Sequence, residues 1–322
     1  MKQRILSGIQ PSGQLHLGNY FGMMSRMIRY QEENDLFCFI VNYHALTTVQ
    51  ERDRLRRNTI EAACDFLALG LDPSRATFWV QGDVPQVTEL TWILSNVTSL
   101  GLLERATSYK DKIAKGITPN VGLFSYPILM AADILCFGAH RVPVGKDQKQ
   151  HLEITRDIAL RFNHIFGDTL VVPEPDIDQQ TQLVPGIDGQ KMSKSYHNTI
   201  PIFIDDKELK KRVFSIVTDS TPIEEPKDKN TPLFHIYSLF LTDTERQELA
   251  RRFDTPGLRY GDVKKELYER IRAFITPYRE KREEYLRHED DVRDILAEGA
   301  RKAREVAQQY LDRVRTVTGL NY

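Results

Sequence analysis

Apolar residues in the first half of the chain fall in short runs between longer stretches of helical spacing. Ile5-Leu6-Ser7-Gly8-Ile9 reads as a first strand, and a Pro/Gly turn follows it. Tyr20 to Glu33 reads as a helix. Leu36-Phe37-Cys38-Phe39-Ile40-Val41 is continuously apolar, as expected of a strand covered on both faces of a parallel sheet. From Asp53 to Leu69, Leu55, Ile60, Ala63, Phe66 and Leu67 approximate helical spacing, and Gly70 supplies a C-terminal stop. Thr77 to Val80 and Arg141 to Val144 read as further strands, the second ending at Gly145. Alternation of this kind predicts an α/β fold with a parallel sheet.

The character changes after about residue 196. Residues 198–206 and 221–232 are rich in Asp, Lys, Thr and Pro and read as connectors. From Thr242 onward the pattern is helical and highly charged. Val292, Leu296, Ala300, Ala303, Val306, Ala307, Tyr310, Val314 and Val317 lie on one helical stripe. The expectation is a helical C-terminal part with no strands.

A length of 322 residues allows about two domains and a large core. Lys and Arg number 44 against 45 Asp and Glu, a net charge of -1. That balance argues against a protein that coats nucleic acid without selectivity. A local basic surface stays open: between residues 301 and 315, Arg301, Lys302, Arg304, Arg313 and Arg315 stand against only Glu305 and Asp312. Cys38, Cys64 and Cys136 form no C-x-x-C pair and no disulfide framework, so a reducing, cytoplasmic setting is the simplest reading. No apolar run approaches the roughly 18 residues of a membrane span. The first residues turn polar by Gln10, unlike a secretory leader. The His and Cys residues show no zinc-site spacing.

Two segments carry chemistry. Gly8-Ile9-Gln10-Pro11-Ser12-Gly13-Gln14-Leu15-His16-Leu17-Gly18-Asn19 stands where a strand turns into a helix, and helix N-termini suit phosphate. Gly8 and Gly13 have Walker-like spacing, but Gln14-Leu15 follows instead of Lys-Ser/Thr. Taken alone, the segment also fits a plain strand-to-helix turn. His16-Leu17-Gly18-Asn19 has the form of the H-I-G-H signature with two substitutions. The second segment, Gly189 to Ser195, contains an unaltered Lys-Met-Ser-Lys-Ser, 175 residues after His16. Two ammonium groups on a loop suit a leaving pyrophosphate, because positioning and electrostatics supply most of the rate of such a transfer.

With both motifs in place the chain resembles the tryptophanyl-tRNA synthetases, a class I aminoacyl-tRNA synthetase family. Ser7-Gly8-Ile9-Gln10-Pro11-Ser12-Gly13 is similar to that family's N-terminal signature. Tyr126-Pro127-Ile128-Leu129-Met130-Ala131-Ala132-Asp133-Ile134-Leu135 is similar to its tryptophan-binding helix. Val142-Pro143-Val144-Gly145-Lys146-Asp147-Gln148-Lys149-Gln150-His151 is similar to its central segment. The likeness covers nearly the whole chain. It implies a Rossmann-like catalytic domain over 1–196, with a dimer-interface insertion at about 90–140 and helix 292–322 packed onto it. It also implies a helical anticodon-binding domain over 197–291, and a homodimer.

The activity implied has two steps. L-tryptophan and MgATP give tryptophanyl-adenylate and pyrophosphate, and tRNA(Trp) then accepts the amino acid at its 3′-terminal ribose. Magnesium would travel with ATP, and no protein-bound metal is implied. The resemblance places Gln10, Pro11, Ser12, His16, Gly18 and Asn19 on the ATP phosphates and adenosine. Gly145 and Asp147 fall on the ribose, with Lys146 beside them, and Leu183, Val184 and Met192 border the adenine. Lys191 and Lys194 grip the phosphates, flanked by Ser193 and Ser195, and Lys112 is a further basic residue aimed at pyrophosphate. Gln10, His16, Lys112, Lys191 and Lys194 form the implied catalytic set.

Asp133 is the implied specificity residue. A carboxylate in its apolar helical setting is costly unless a donor pairs with it, and the indole N–H is donor only. Tyr126 and Gln148 would hold the α-ammonium group. Leu6, His44, Met130, Ile134, Val142 and Val144 would line the indole pocket, although Val142 and Val144 fit ordinary core packing equally well. Leu6 stands where many members have an aromatic residue, and Lys146 where many have Glu. The aromatic–basic pairs Arg259-Tyr260, Tyr278-Arg279 and Tyr285-Leu286-Arg287 offer the mixture that RNA binding uses. Competing readings are the related tyrosyl enzyme, a small-molecule nucleotidylyltransferase and a non-catalytic synthetase paralogue. The intact Lys-Met-Ser-Lys-Ser, the long helical part and the retained Gln10, His16 and Asp133 speak against them.

Overall fold

Continuous apolar runs become the centre of a parallel sheet. The computed structural model describes residues 2–11, 13–106, 120–145, 148–176 and 184–322. Its strands are β1 (Arg4–Ile9), β2 (Asp35–Ile40), β3 (Ala76–Val80), β4 (Arg141–Pro143) and β5 (Glu174–Asp176), all parallel in the order β3-β2-β1-β4-β5. Ile5 lies in register with Leu36 on one side and Arg141 on the other. Strand order therefore reverses between β1 and β4. Open α/β sheets bind ligands at such a point, beyond the carboxyl ends of the strands. Gln10-Pro11 and Val144-Gly145 leave the sheet there. The sequence pattern did not reveal β5, because Glu174-Pro175-Asp176 has no apolar run. Proline is tolerated at this edge, where only one side is paired.

The helices are α1 (Leu17–Asn19), α2 (Ser25–Glu33), α3 (Asn42–Ala45), α4 (Arg52–Ala68), α5 (Gln86–Ser95), α6 (Leu100–Glu104), α7 (Val121–Leu135), α8 (Lys149–Phe166), α9 (Asp206–Phe214), α10 (Pro232–Ser238), α11 (Asp243–Asp254), α12 (Tyr260–Arg287) and α13 (Glu289–Thr318). The helix expected over 20–33 is broken by a π-helical turn at Tyr20–Met24. Gly70 ends α4 with φ +107°, as a C-terminal stop requires.

Chain packing divides the protein into two units. The first comprises Met1–Gly13, Met27–Gln179 and Tyr285–Tyr322. Its core gathers Leu6, Phe37, Phe39 and Trp79 from the strands with Leu90, Ile93 and Leu94 of α5. From α13 it takes Ala300, Ala303, Ala307, Leu311 and Val314. Small residues dominate this last set because α13 runs directly over β3. A Cβ at Gly299 would lie 1.8 Å from the Phe78 carbonyl oxygen. Val317, assigned to the stripe by spacing, is 39% exposed, and Leu311 takes its place in the core. The apolar stretch 90–103 is split by helical geometry. Leu90, Ile93, Leu94, Val97 and Leu103 turn inward, while Trp92 and Leu100 are 72% and 68% exposed.

Much of the basic cluster over 301–315 is paired. Arg315 makes a two-pronged contact to Glu89 of α5 at 2.6 and 2.8 Å. Arg301 bridges Glu298 and Glu305, Lys302 lies 3.8 Å from Glu298, and Arg304 donates to the Asp83 carbonyl. Glu298 lies just ahead of residues 301–315, and Glu89 is 226 residues away in sequence.

The second unit comprises Gln14–Arg26 and Gln180–Glu284. Its helices start on side-chain caps. Asp205 accepts from the Glu208 N–H, Thr231 from the Phe234 N–H ahead of Pro232, and Thr242 and Glu245 form a capping box. Val263, Leu267, Ile271 and Ile275 repeat every fourth residue as the buried face of α12. Phe21, Phe240 and Phe274 pack ring against ring. Members of two of the three aromatic–basic pairs have partners within this unit. The Tyr260 hydroxyl donates to Asp219 at 2.9 Å. Tyr278 packs on Phe274, while Arg279 binds the Ile204 carbonyl and Asp206.

Candidate active site

His16-Leu17-Gly18-Asn19 and the Lys-Met-Ser-Lys-Ser segment, 175 residues apart in sequence, meet in the second unit. The backbone following the Lys-Met-Ser-Lys-Ser loop pairs with the backbone around His16. Leu17 N–H donates to the Ile200 carbonyl and Ile202 N–H to the Leu15 carbonyl, each at 3.0 Å. Gly18 N–H then donates to the Met192 sulfur at 3.2 Å. A Cβ on Gly18 would lie 2.9 Å from His16 Nδ1 and 3.2 Å from the Met192 Cβ. Glycine is required here by close approach. Asn19 closes the turn by accepting from the His16 N–H at 3.1 Å.

His16 is only 6% exposed, and its Nδ1 has no hydrogen-bond partner among the described residues. Burial, with Lys194 nearby as a lesser cause, lowers its pKa to about 4. The imidazole is therefore neutral at pH 7, presenting one N–H and one bare nitrogen. An orphaned polar atom in a buried site is what a ligand contact leaves when the ligand is absent.

The loop itself is held by Asn198, a residue the motif reading did not single out. Its Oδ1 accepts from the Ser193 N–H at 2.8 Å, and its Nδ2 donates to Asp188 at 2.8 Å and to the Lys191 carbonyl at 3.1 Å. Asn198 is 2% exposed. Met192 N–H bonds the Val184 carbonyl at 2.9 Å, so Val184 and Met192 are both buried beneath the loop. Lys191 and Ser195 are exposed, and Ser193 and Lys194 are half-buried.

The other group of expected residues lies in the first unit. Asp133 sits on α7, 2% exposed. Its Oδ2 lies 2.8 Å from His44 Nε2 of α3. Gln81 Nε2, at the end of β3, lies 2.8 Å from both carboxylate oxygens. An ionised carboxylate only accepts, so with Asp133 ionised the proton of this contact belongs to His44 Nε2. Burial raises the Asp133 pKa, while His44 and Gln81 pull against that rise. Gln81 is wholly buried and was missed by the sequence reading. The available signal was its place just after a strand, on the ligand-binding edge of the sheet.

A second chain of contacts runs beside the first. The Tyr126 hydroxyl bonds His151 Nε2, and His151 Nδ1 bonds Gln148 Oε1 at 2.7 Å. With Nδ1 donating to Gln148, Nε2 is the acceptor and the phenol donates to it. Both oxygens are then arranged to accept from a third group. His151, the last residue of the central segment, was likewise not singled out. Tyr126 meets His44 edge to face, with centroids 6.1 Å apart. A cavity of about 270 Å³ reaches Tyr43 and Tyr126. Leu6, Ile134 and Val142 lie in the core, and Met130 and Val144 pack against it. Gln10 and Gly145 are exposed and Pro11 buried. Ser12, Lys112, Lys146, Asp147 and Leu183 lie outside the described residues.

Known proteins decide the family. The family model for tRNA synthetases class I (W and Y) matches residues 1–276. This chain belongs to that family. It is 51% identical over 319 residues to a tryptophan–tRNA ligase of Fusobacterium nucleatum, covering 99% of this chain and 98% of that one. It is 52% identical over 318 residues to a tryptophan–tRNA ligase of Rhodopirellula baltica, covering 98% and 99%. The crystal structure of the Campylobacter jejuni tryptophanyl-tRNA synthetase complexed with ADP and tryptophan superposes with a TM-score of 0.93. That pair shares 50% identity, over 98% of this chain and 100% of the other. The class I fold of this family is the Rossmann-like sheet described above.

Proposed function

We propose that this member of the family is a tryptophan–tRNA ligase. It activates L-tryptophan with ATP to tryptophanyl-adenylate and pyrophosphate, then transfers the amino acid to the 3′-terminal ribose of tRNA(Trp). The observation that carries the specificity is Asp133, a buried carboxylate held by Gln81 and His44. It is an acceptor suited to a lone indole N–H. A site built around a buried polar group rejects an analogue lacking the partner by about 10⁴–10⁵.

On this reading the tryptophan carboxylate attacks the α-phosphorus of MgATP in line. Tyr126 and Gln148, oriented by His151, accept from the α-ammonium group. Leu6, His44, Met130, Ile134, Val142 and Val144 line the indole pocket. Neutral His16 gives a directed hydrogen bond to a phosphate oxygen, and Gly18 keeps the backbone open beside it. Gln10, Pro11, Ser12 and Asn19 belong to the same nucleotide turn, and Gly145 and Asp147 to the ribose. Lys191 and Lys194, with Lys112, neutralise charge that builds on the pyrophosphate. Magnesium enters with ATP, held by phosphate and water.

A homodimer is part of the reading. Trp92, Leu100 and Val121 are 72%, 68% and 81% exposed at the surface of α5, α6 and α7, and a second copy would cover them. The region 197–291 is proposed to read the anticodon, and the cytoplasm is the proposed location. Among the described residues no helix is long and apolar enough to cross a membrane. The test is amino-acid-dependent ATP–pyrophosphate exchange across the twenty amino acids, followed by charging of tRNA(Trp). Exchange with tryptophan alone supports the reading. Exchange with tyrosine, or with none, rejects it.

A further inference from the structure

Asp133 is a buried carboxyl whose pKa burial raises, so donors around it are needed to hold it ionised. Gln81 answers that need with its NH2, while its oxygen is held by backbone. The Tyr43 backbone N–H lies 3.0 Å from Gln81 Oε1. A backbone N–H only donates, so the amide oxygen must face it and the NH2 must face the carboxylate. The Gln81 amide cannot flip without leaving two donors opposed. Asn42 fixes the next residue, accepting from the Gly82 N–H at 2.9 Å. A Cβ on Gly82 would lie 3.1 Å from the Asn42 side chain, so this turn is closely packed. Gln81 is thus a rigid donor, aimed from the end of β3 at both oxygens of Asp133.

We infer that Gln81 is a positioning residue for substrate selection: its amide holds the Asp133 carboxylate ionised and fixed in rotation, keeping it an acceptor for the indole N–H. The inference rests on the tryptophan reading above. Oδ2 is shared between His44 and Gln81, whereas among the described residues Oδ1 receives only Gln81. Oδ1 is therefore the oxygen with acceptor capacity left for a third donor. Without Gln81 the carboxylate would lose the donor common to both oxygens and turn about its last bond toward His44.

The pH dependence of binding tests this, provided the neighbouring charges are named. His44 faces Asp133 from α3. Cys136 caps the C-terminal end of α7, three residues on. Tyr126 and His151 stand at the α7–α8 side, Glu89 on α5 is held by Arg315, and Asp83 follows Gln81. None of these replaces an amide N–H.

The experiment uses the full chain and tryptophan-dependent ATP–pyrophosphate exchange between pH 5.5 and 9, for wild type, Gln81→Leu and Gln81→Glu. In Gln81→Leu, kcat/KM for tryptophan should fall about 10- to 100-fold. Its acid limb should move to higher pH, because a carboxylate that loses a donor binds its proton more tightly. The KM for ATP should stay put. Gln81→Glu should behave in the opposite sense. Two carboxylates sharing the site keep one proton between them, and that proton restores the donor. Activity should therefore return at low pH and fall as pH rises. A merely structural role would depress both variants at every pH and move the ATP KM as well. Profiles that superpose on wild type overturn the inference, and so does a flat profile in Gln81→Glu. Wild-type exchange separates the two layers. If it shows no tryptophan dependence, the ligase reading fails. If it does and the variants do not shift, only the role of Gln81 fails.

Discussion

Replacing Asp133 by Asn tests the specificity argument most directly, because it alters charge and donor pattern with almost no change in volume. Gln81 and His44 each lie 2.8 Å from the carboxylate, and on the proposed reading the substrate's indole N–H is the third donor. An amide offers one carbonyl oxygen, and its NH2 must then face a donor. At least one of the three contacts is lost outright. A hydrogen bond to a charged group contributes about 1.5–3 kcal/mol. At about 1.4 kcal/mol per factor of ten, Asp133→Asn should lower kcat/KM for tryptophan about 10- to 150-fold. Phenylalanine makes no N–H contact and should lose little. Selectivity between the two amino acids should therefore shrink by about the same factor. The carboxylate's burial penalty disappears with its charge, so the thermal midpoint should change far less than the activity does. The KM for ATP should not follow, because His16 and the Lys-Met-Ser-Lys-Ser loop are held by other contacts. ATP–pyrophosphate exchange with each amino acid over a range of concentrations reads all of these. A tryptophan kcat/KM within about threefold of wild type, with selectivity intact, would refute the argument.

Three further perturbations separate the phosphate-side parts. His16 should titrate at about 4 in the folded protein, against an ordinary value of about 6.5, and its ring proton shift by NMR reads this directly. Its folded pKa is the lower one, so its contribution to stability is complete above about pH 6.5 and is lost as pH falls toward 4. Lys194→Met should raise that value only part of the way, since burial is the larger cause; a wild-type titration near 6.5 would contradict the packing described. Gly18→Ala should destabilise by about 1–3 kcal/mol, the cost of overpacking, where an unhindered helical glycine would gain about 0.5–1 kcal/mol; a higher melting temperature would show that the gap beside His16 is open. Asn198→Ala removes three hydrogen bonds that shape the loop, a loss of about 3 kcal/mol. It should raise the KM for ATP while leaving that for tryptophan unchanged, and steady-state kinetics with each substrate varied would expose an equal effect on both.

Much of the sheet was legible because its strands are buried on both faces. An unbroken run such as Leu36 to Val41 has few other uses, and Ile5 to Ile9 pairs with it residue for residue. The edge strand β5 was hidden for the converse reason: Glu174-Pro175-Asp176 is a strand only because β4 lies beside it. Helical spacing found α13, yet its last turn was misread. Spacing fixes which residues share a face but not where the neighbour that covers the face ends, so Val317 emerges exposed and Leu311 buried. The break at Tyr20–Met24 leaves no mark in spacing either, since a π-helical turn shifts the face by a single residue.

The residues missed at the candidate site share one property. Gln81, His151 and Asn198 act on other side chains or on backbone, and their meaning depends on a partner. Gln81 gains its role from Asp133, 52 residues on in sequence. Nothing in Val80-Gln81-Gly82 announces that a carboxylate will be buried opposite. The same physics governs the charge of α13. Arg315 reads as free positive charge until Glu89 is placed against it, 226 residues away. A motif such as Lys-Met-Ser-Lys-Ser is local, so it survives reading along the chain. A pair is not local, and the polar groups that must be satisfied on burial are pairs. Apolar burial is non-directional and leaves a periodic trace, whereas a hydrogen bond leaves two unrelated letters. Sequence reading therefore finds the residues that touch substrate before those that hold them in place. The second group emerges only when each buried donor and acceptor is asked for its partner.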